Sequence, residues 1–173
     1  MKIVKRNNEK YPYKVICSNK KSLIIPKQQK FSNAWLRAHG CSLVAEYIAL
    51  QWGGVKKSIA WLLDWHKKNT PSQVKSKVTV KGVSQGINEI AGKKLKATYY
   101  REVTLDRLRA ALDKGYLVIM EQKNPIHSVV LLPDTDGVFV ASNGTVKREL
   151  IAKVAERATT NDKYRGMVVV REK

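Results

Sequence analysis

Between Gly40 and Gly53 the chain runs through twelve residues, Cys41 to Trp52, of which only Ser42, Glu46 and Gln51 are polar. A helix on a protein surface keeps a polar face. One of this composition has to be covered on most sides, so any fold open to the chain must be built around it. Gly53-Gly54 ends the run, as glycine just beyond a helix commonly does. The start is chemically distinctive. A cysteine directly after a glycine turn meets the unpaired N–H groups and positive dipole end of the helix, which can bring a thiol from about 8.5 into the ~3.5–7.5 range of reactive cysteines. A free cysteine taken alone is more often a small buried hydrophobe, so a reactive reading needs a base.

The chain has three histidines. His127 opens a strand-like run, Ile126 to Leu132, followed by the turn residues Pro133-Asp134-Thr135-Asp136-Gly137 and a returning run, Val138 to Asn143. Asp-Gly between two β-branched runs marks a hairpin. With a pivot near Thr135, His127 and Asn143 lie eight positions either side and become cross-strand neighbours; a register shift of one residue sends Asn143 to the other face. Asn143 can then hold one imidazole nitrogen while the other faces Cys41, the arrangement of nucleophile, base and orienting group used by cysteine hydrolases. His39, two residues before Cys41, fits a turn or surface role, and His66 completes the apolar face of a second helix. Trp35, Trp52, Trp61 and Trp65 are read as packing residues.

The order Gly40-Cys41, apolar helix, Gly53-Gly54, then Lys114-Gly115 before Tyr116-Leu117-Val118-Ile119-Met120, then His127-Ser128-Val129-Val130, Asp136-Gly137 and Ser142-Asn143-Gly144 resembles the papain-like cysteine peptidases of the bacteriocin-leader (double-glycine leader) branch. The resemblance runs from about Leu23 to Val170. It implies an α+β, papain-like fold in which a central N-terminal helix carrying the nucleophile packs on a mostly antiparallel sheet. Residues 1–22 then form an N-terminal extension and 23–173 a single catalytic domain. It also implies cleavage of peptide or amide bonds by Cys41 as nucleophile, His127 as base and Asn143 as orienting group, where the family often has Asp-Pro in place of Asn143-Gly144. The family's oxyanion-binding amide falls to Gln29, which follows Leu23-Ile24-Ile25-Pro26, or to Asn33, nearer Cys41, with Gln29 favoured. No cofactor is implied.

The remaining pattern agrees with an α+β domain. Helical spacing covers Val55–Lys68, Ser84 caps a short helix over 85–90, and Ala97–Val103 is extended. Thr104 caps a helix bearing Leu105, Leu108, Ala111 and Leu112, and after the three strands come a helix near Arg148–Arg157 and a strand Gly166–Arg171. Asp134 and Asp136 serve the turn, so no metal is expected. The two cysteines are too few for a disulfide framework, and Cys17 is read as structural. No secretory signal and no run near the ~18 apolar residues of a membrane span is seen, which points to a cytoplasmic protein, export without a cleaved leader staying open. Charge supplies the competing reading. With 33 Lys and Arg against 14 Asp and Glu, a formal charge of +19 draws polyanions without specificity, suits an acidic peptide substrate, and allows a non-catalytic basic module that binds nucleic acid.

Overall fold

The computed structural model describes residues 2–17, 21–123, 126–134, 137–142, 144–159 and 164–173. Its centre is the expected apolar helix, α2 (Cys41–Trp52), in which all but Tyr47 and Gln51 are buried. A short helix α1 (Ala34–His39) leads into it, and α3 (Ile59–Asn69), α4 (Pro71–Val74) and α5 (Val80–Ala91) follow. Each polar side chain that α2 carries meets a different neighbour. Ser42 Oγ lies 3.0 Å from Ser128 Oγ, and Glu46 Oε2 lies 2.7 Å from His66 Nε2 on α3. Gln51 accepts from Ile24 N–H at 2.9 Å and donates to Ile24 C=O at 3.0 Å.

Ile24 belongs to β3 (Ser22–Ile25), the edge of a three-stranded antiparallel sheet ordered β1 (Lys2–Lys5), β2 (Tyr13–Ile16), β3. The Gln51 amide thus matches both backbone groups of Ile24 as a neighbouring strand would, and covers an edge that would otherwise be open. Val15, Leu23 and Ile25 of this sheet enter the same core as α2. The strands of residues 2–16 were not among the expected elements.

The larger sheet has six strands in the order β4 (Leu95–Tyr100), β9 (Tyr164–Glu172), β5 (Leu117–Gln122), β6 (His127–Asp134), β7 (Gly137–Ser142), β8 (Thr145–Glu149), every pair antiparallel. Side chains alternate between two cores. Leu117, Ile119, Val130, Leu132, Val168 and Val170 face α2, α3 and α5. Val118, Met120, Val129, Leu131 and Met167 face α6 (Leu105–Asp113) and α7 (Ile151–Thr159) on the other side. Being covered on both faces is why β5 reads as an unbroken apolar run.

Several boundaries differ from the sequence reading. α3 starts at Ile59, with Ser58 Oγ accepting from Trp61 N–H at 3.1 Å. α5 starts at Val80 under a Thr79 cap, whereas Ser84 is buried and donates to Ala97 C=O at 3.3 Å. Arg148 lies in β8, where alternating charged residues had read as helix. The β6–β7 hairpin pairs Asp134 with Gly137 and runs to Val130 opposite Ala141, a register one residue off that set by a pivot at Thr135, and the ladder ends before it reaches His127.

α5 crosses α2 closely because of Gly86. A Cβ there would stand 2.1 Å from Glu46 Oε1 and 3.3 Å from His66 Nε2. Beneath it the Glu46–His66 pair is wholly buried. Thr70 Oγ1 donates its one proton to His66 C=O (3.2 Å), so it accepts from His66 Nδ1–H (2.8 Å). Burial pushes the Glu46 carboxyl up against the opposing hydrogen bond and charge of His66, and Glu46 Oε1 has no partner among the described residues. A neutral acid donating to Nε2 leaves only a carbonyl oxygen unmatched, which costs less than a bare carboxylate oxygen. Gly86→Ala should therefore destabilise the fold by about 1–3 kcal/mol through overpacking, read as a lowered urea midpoint; an unchanged midpoint would show that the two helices have room to spare.

Candidate active site

Three segments converge on the start of α2. Gly40 (φ −80°, ψ 1°) joins α1 to α2, its N–H donating to Leu36 C=O at 2.9 Å. An added Cβ would lie 2.4 Å from that oxygen, so the close turn that makes Cys41 the first residue of α2 requires glycine. β6 brings His127 and Ser128, and the segment after β3 brings Pro26 and Gln28. Together Gln28, Cys41, His127, Ser128 and Gly144 line one cleft.

Cys41 is 6% exposed. Burial alone would push its thiol up. Against that stand the hydrogen bond from the His127 side chain, the positive charge of Lys77, the Ser128 backbone N–H and the charge of His127, and together they bring the thiol down to about 6. The Ser42–Ser128 hydroxyl contact next to it ties α2 to β6, and so ties the thiol to the imidazole strand. Cys17 is also a free, buried thiol, but burial pushes it up and nothing reverses the shift.

The amide beside the thiol is Gln28. It is buried, and its Nε2 donates to Arg37 C=O at 2.9 Å. Arg37 Nη1 in turn donates to Phe31 C=O (2.9 Å) and Ser32 C=O (2.5 Å), which fixes the loop. Gln29 is exposed, and so is Asn33, whose Oδ1 caps α1 by accepting from Leu36 N–H at 3.0 Å. The reason is phase. Residues 28–30 form a 3-10 turn whose first residue, Gln28, is turned inward while Gln29 and Lys30 are exposed.

Asn143 lies outside the described residues; its neighbour Gly144 lines the cleft. His39 is exposed on α1, its ring 5.6 Å from that of Trp35. Glu121 pairs with Arg165 and accepts from Val80 N–H at 3.1 Å, and Asp134 lies 3.7 Å from Arg148. Among the described residues no group of three or more His, Cys, Asp or Glu is placed to hold a metal ion, and no described helix is long and apolar enough to cross a membrane.

The described elements form an α+β arrangement of the papain-like, C39-like kind. Among solved structures, that of a "putative C39-like peptidase" from Bacillus anthracis matches with a TM-score of 0.56 at 14% identity, over 92% of this chain and 99% of the other. At that identity the likeness is one of fold. No family model and no curated protein matches the sequence.

A thiol at about 6 is ionised from mildly acidic pH upward. Mass-mapped alkylation should therefore rise through pH 6 at Cys41 and level off above it, while Cys17, shifted the other way, reacts only in alkali. Equal rates at the two thiols near pH 6 would contradict the site.

Proposed function

We propose that the chain is a cysteine-dependent hydrolase of peptide or amide bonds. The observation that carries this is a thiol kept near 6 in spite of its burial, with an imidazole hydrogen-bonded to it and a buried amide beside it. The Cys41 thiolate attacks the substrate carbonyl carbon, forming a C–S bond. The oxygen that becomes negative is received by the Cys41 backbone N–H and by the Gln28 Nε2–H not engaged with Arg37. The carbonyl re-forms as the C–N bond breaks, and the His127 imidazolium gives its proton to the departing amine. Water then attacks the acyl-thioester, His127 takes its proton, and the thiolate is expelled. Asn143 stays the candidate for orienting His127 on the strength of the resemblance, as the β6–β7 ladder stops short of both residues and Gly144 borders the cleft. An acidic peptide suits the charge of +19.

Two variants test the assignment. Cys41→Ala should abolish turnover, and Gln28→Ala should lower kcat by about 10²–10³-fold with little change in KM, as loss of one oxyanion donor does. Gln29→Ala and Asn33→Ala should stay within a few-fold of wild type. The second reading, a basic module without turnover, rests on the charge. Under the hydrolase reading Cys41→Ala leaves affinity for DNA unchanged, and that affinity falls with salt by about 0.9 in log–log slope per phosphate neutralised. Sequence-selective DNA binding that survives moderate salt, with no cleavage of a broad peptide library, would reverse the ranking.

A further inference from the structure

Lys77 sits in the loop between α4 and α5, and its Nζ is buried with no hydrogen-bond partner among the described residues. The loop is held in place at both ends. Thr79 donates to Gln73 Oε1 through its N–H (3.4 Å) and Oγ1 (3.3 Å), and Val80 N–H reaches Glu121 Oε2. Glu121 pairs across the sheet with Ser128, the residue whose hydroxyl meets Ser42 and whose N–H reaches the Cys41 sulfur. An ammonium shut away from water without an acceptor is very costly; it persists where an anion offsets it. The nearby carboxylates have other partners: Glu121 has Arg165 and Val80 N–H, and Glu46 has His66. The group that can supply the negative charge is the thiol.

We propose that Lys77 is a second counter-ion of Cys41, a positioning residue whose charge favours the thiolate alongside His127. This rests on Cys41 being the nucleophile. Once His127 passes its proton to the departing amine the sulfur is held in the acyl-thioester, and no thiolate returns until deacylation. In deacylation the C–S bond breaks, its electron pair stays on sulfur, and the water proton goes to His127. Lys77 exchanges no proton in either half, and its field favours the expelled thiolate throughout. Other ionisable groups around the sulfur do not compete for the role. On α1, His39 is exposed beside Trp35; on α2 and α3, Glu46 Oε2 and His66 Nε2 are bonded to each other; on β5, Glu121 is paired.

The test is the pH midpoint of Cys41 alkylation, mass-mapped so that Cys17 does not contribute, and it requires no turnover. Wild type should titrate at about 6. Lys77→Met, which exchanges a buried ammonium for an apolar chain of like length, should raise the midpoint by about one unit, an approximately tenfold loss of thiolate on the acid side. His127→Ala should stay about one unit below the Lys77→Met/His127→Ala double variant. An unmoved midpoint in Lys77→Met, or a His127→Ala midpoint equal to that of the double variant, overturns the role of Lys77 while leaving the hydrolase reading intact; an ordinary midpoint in wild type overturns both. A salt series on wild type needs no variant. A buried charge is little screened, so the midpoint should hold from about 0.05 to about 0.5 M salt, and an upward drift would assign the shift to the surface lysines instead.

Discussion

A helix covered on every side has to find a partner for each polar atom it takes into the interior, because an unmatched one costs more than most single contacts contribute. α2 answers that constraint, at every described side-chain atom but Glu46 Oε1, with three side chains aimed at three elements: Ser42 at β6, Glu46 at α3 and Gln51 at β3. Apolar packing alone would leave such a rod free to rotate or slide, since leucines and valines fit many phases. The three polar contacts admit one. Their spacing along the helix sets where Cys41 ends up, next to β6 and opposite the segment that follows β3.

The chemistry of the cleft is the outcome of opposed effects of similar size. Burial resists a thiolate, and would win if His127 stood alone at a distance, as it does at Cys17, where nothing reverses it. At Cys41 the hydrogen bond, two positive charges and one backbone N–H together exceed it. The same shielding from water that penalises the anion also strengthens each of the interactions that favour it, so a tight cleft and a low thiol pKa go together.

Much of this was legible in the chain. The buried helix and its glycine stop could be read from composition, and the proposal of Cys41 with His127 comes from the demand of a thiol for a base. What escaped did so for physical reasons. Gln28 and Gln29 are adjacent, and only the phase of a three-residue turn separates the buried one from the exposed one. β1 and β2 have four residues each, with Lys2, Lys5 and Lys14 among them, so they carry little of the apolar signal that marks a strand. The hairpin register differs by one residue from that set by a pivot at Thr135, since Asp134 pairs with Gly137. Lys77 had no signature at all among 33 basic residues; its distinction is burial, which only the fold confers.

The order of the large sheet has a consequence for how the molecule comes into being. β9, the strand latest in the chain, lies inside the sheet between β4 and β5 and forms the ladders that join them. During synthesis β4 and β5 must therefore wait, each with an unpaired edge, until residues some fifty to seventy positions later emerge from the ribosome. Exposed apolar edges of that kind invite pairing with other chains. A nascent chain of this fold thus passes through a vulnerable interval that ends only when its last described strand slots into place.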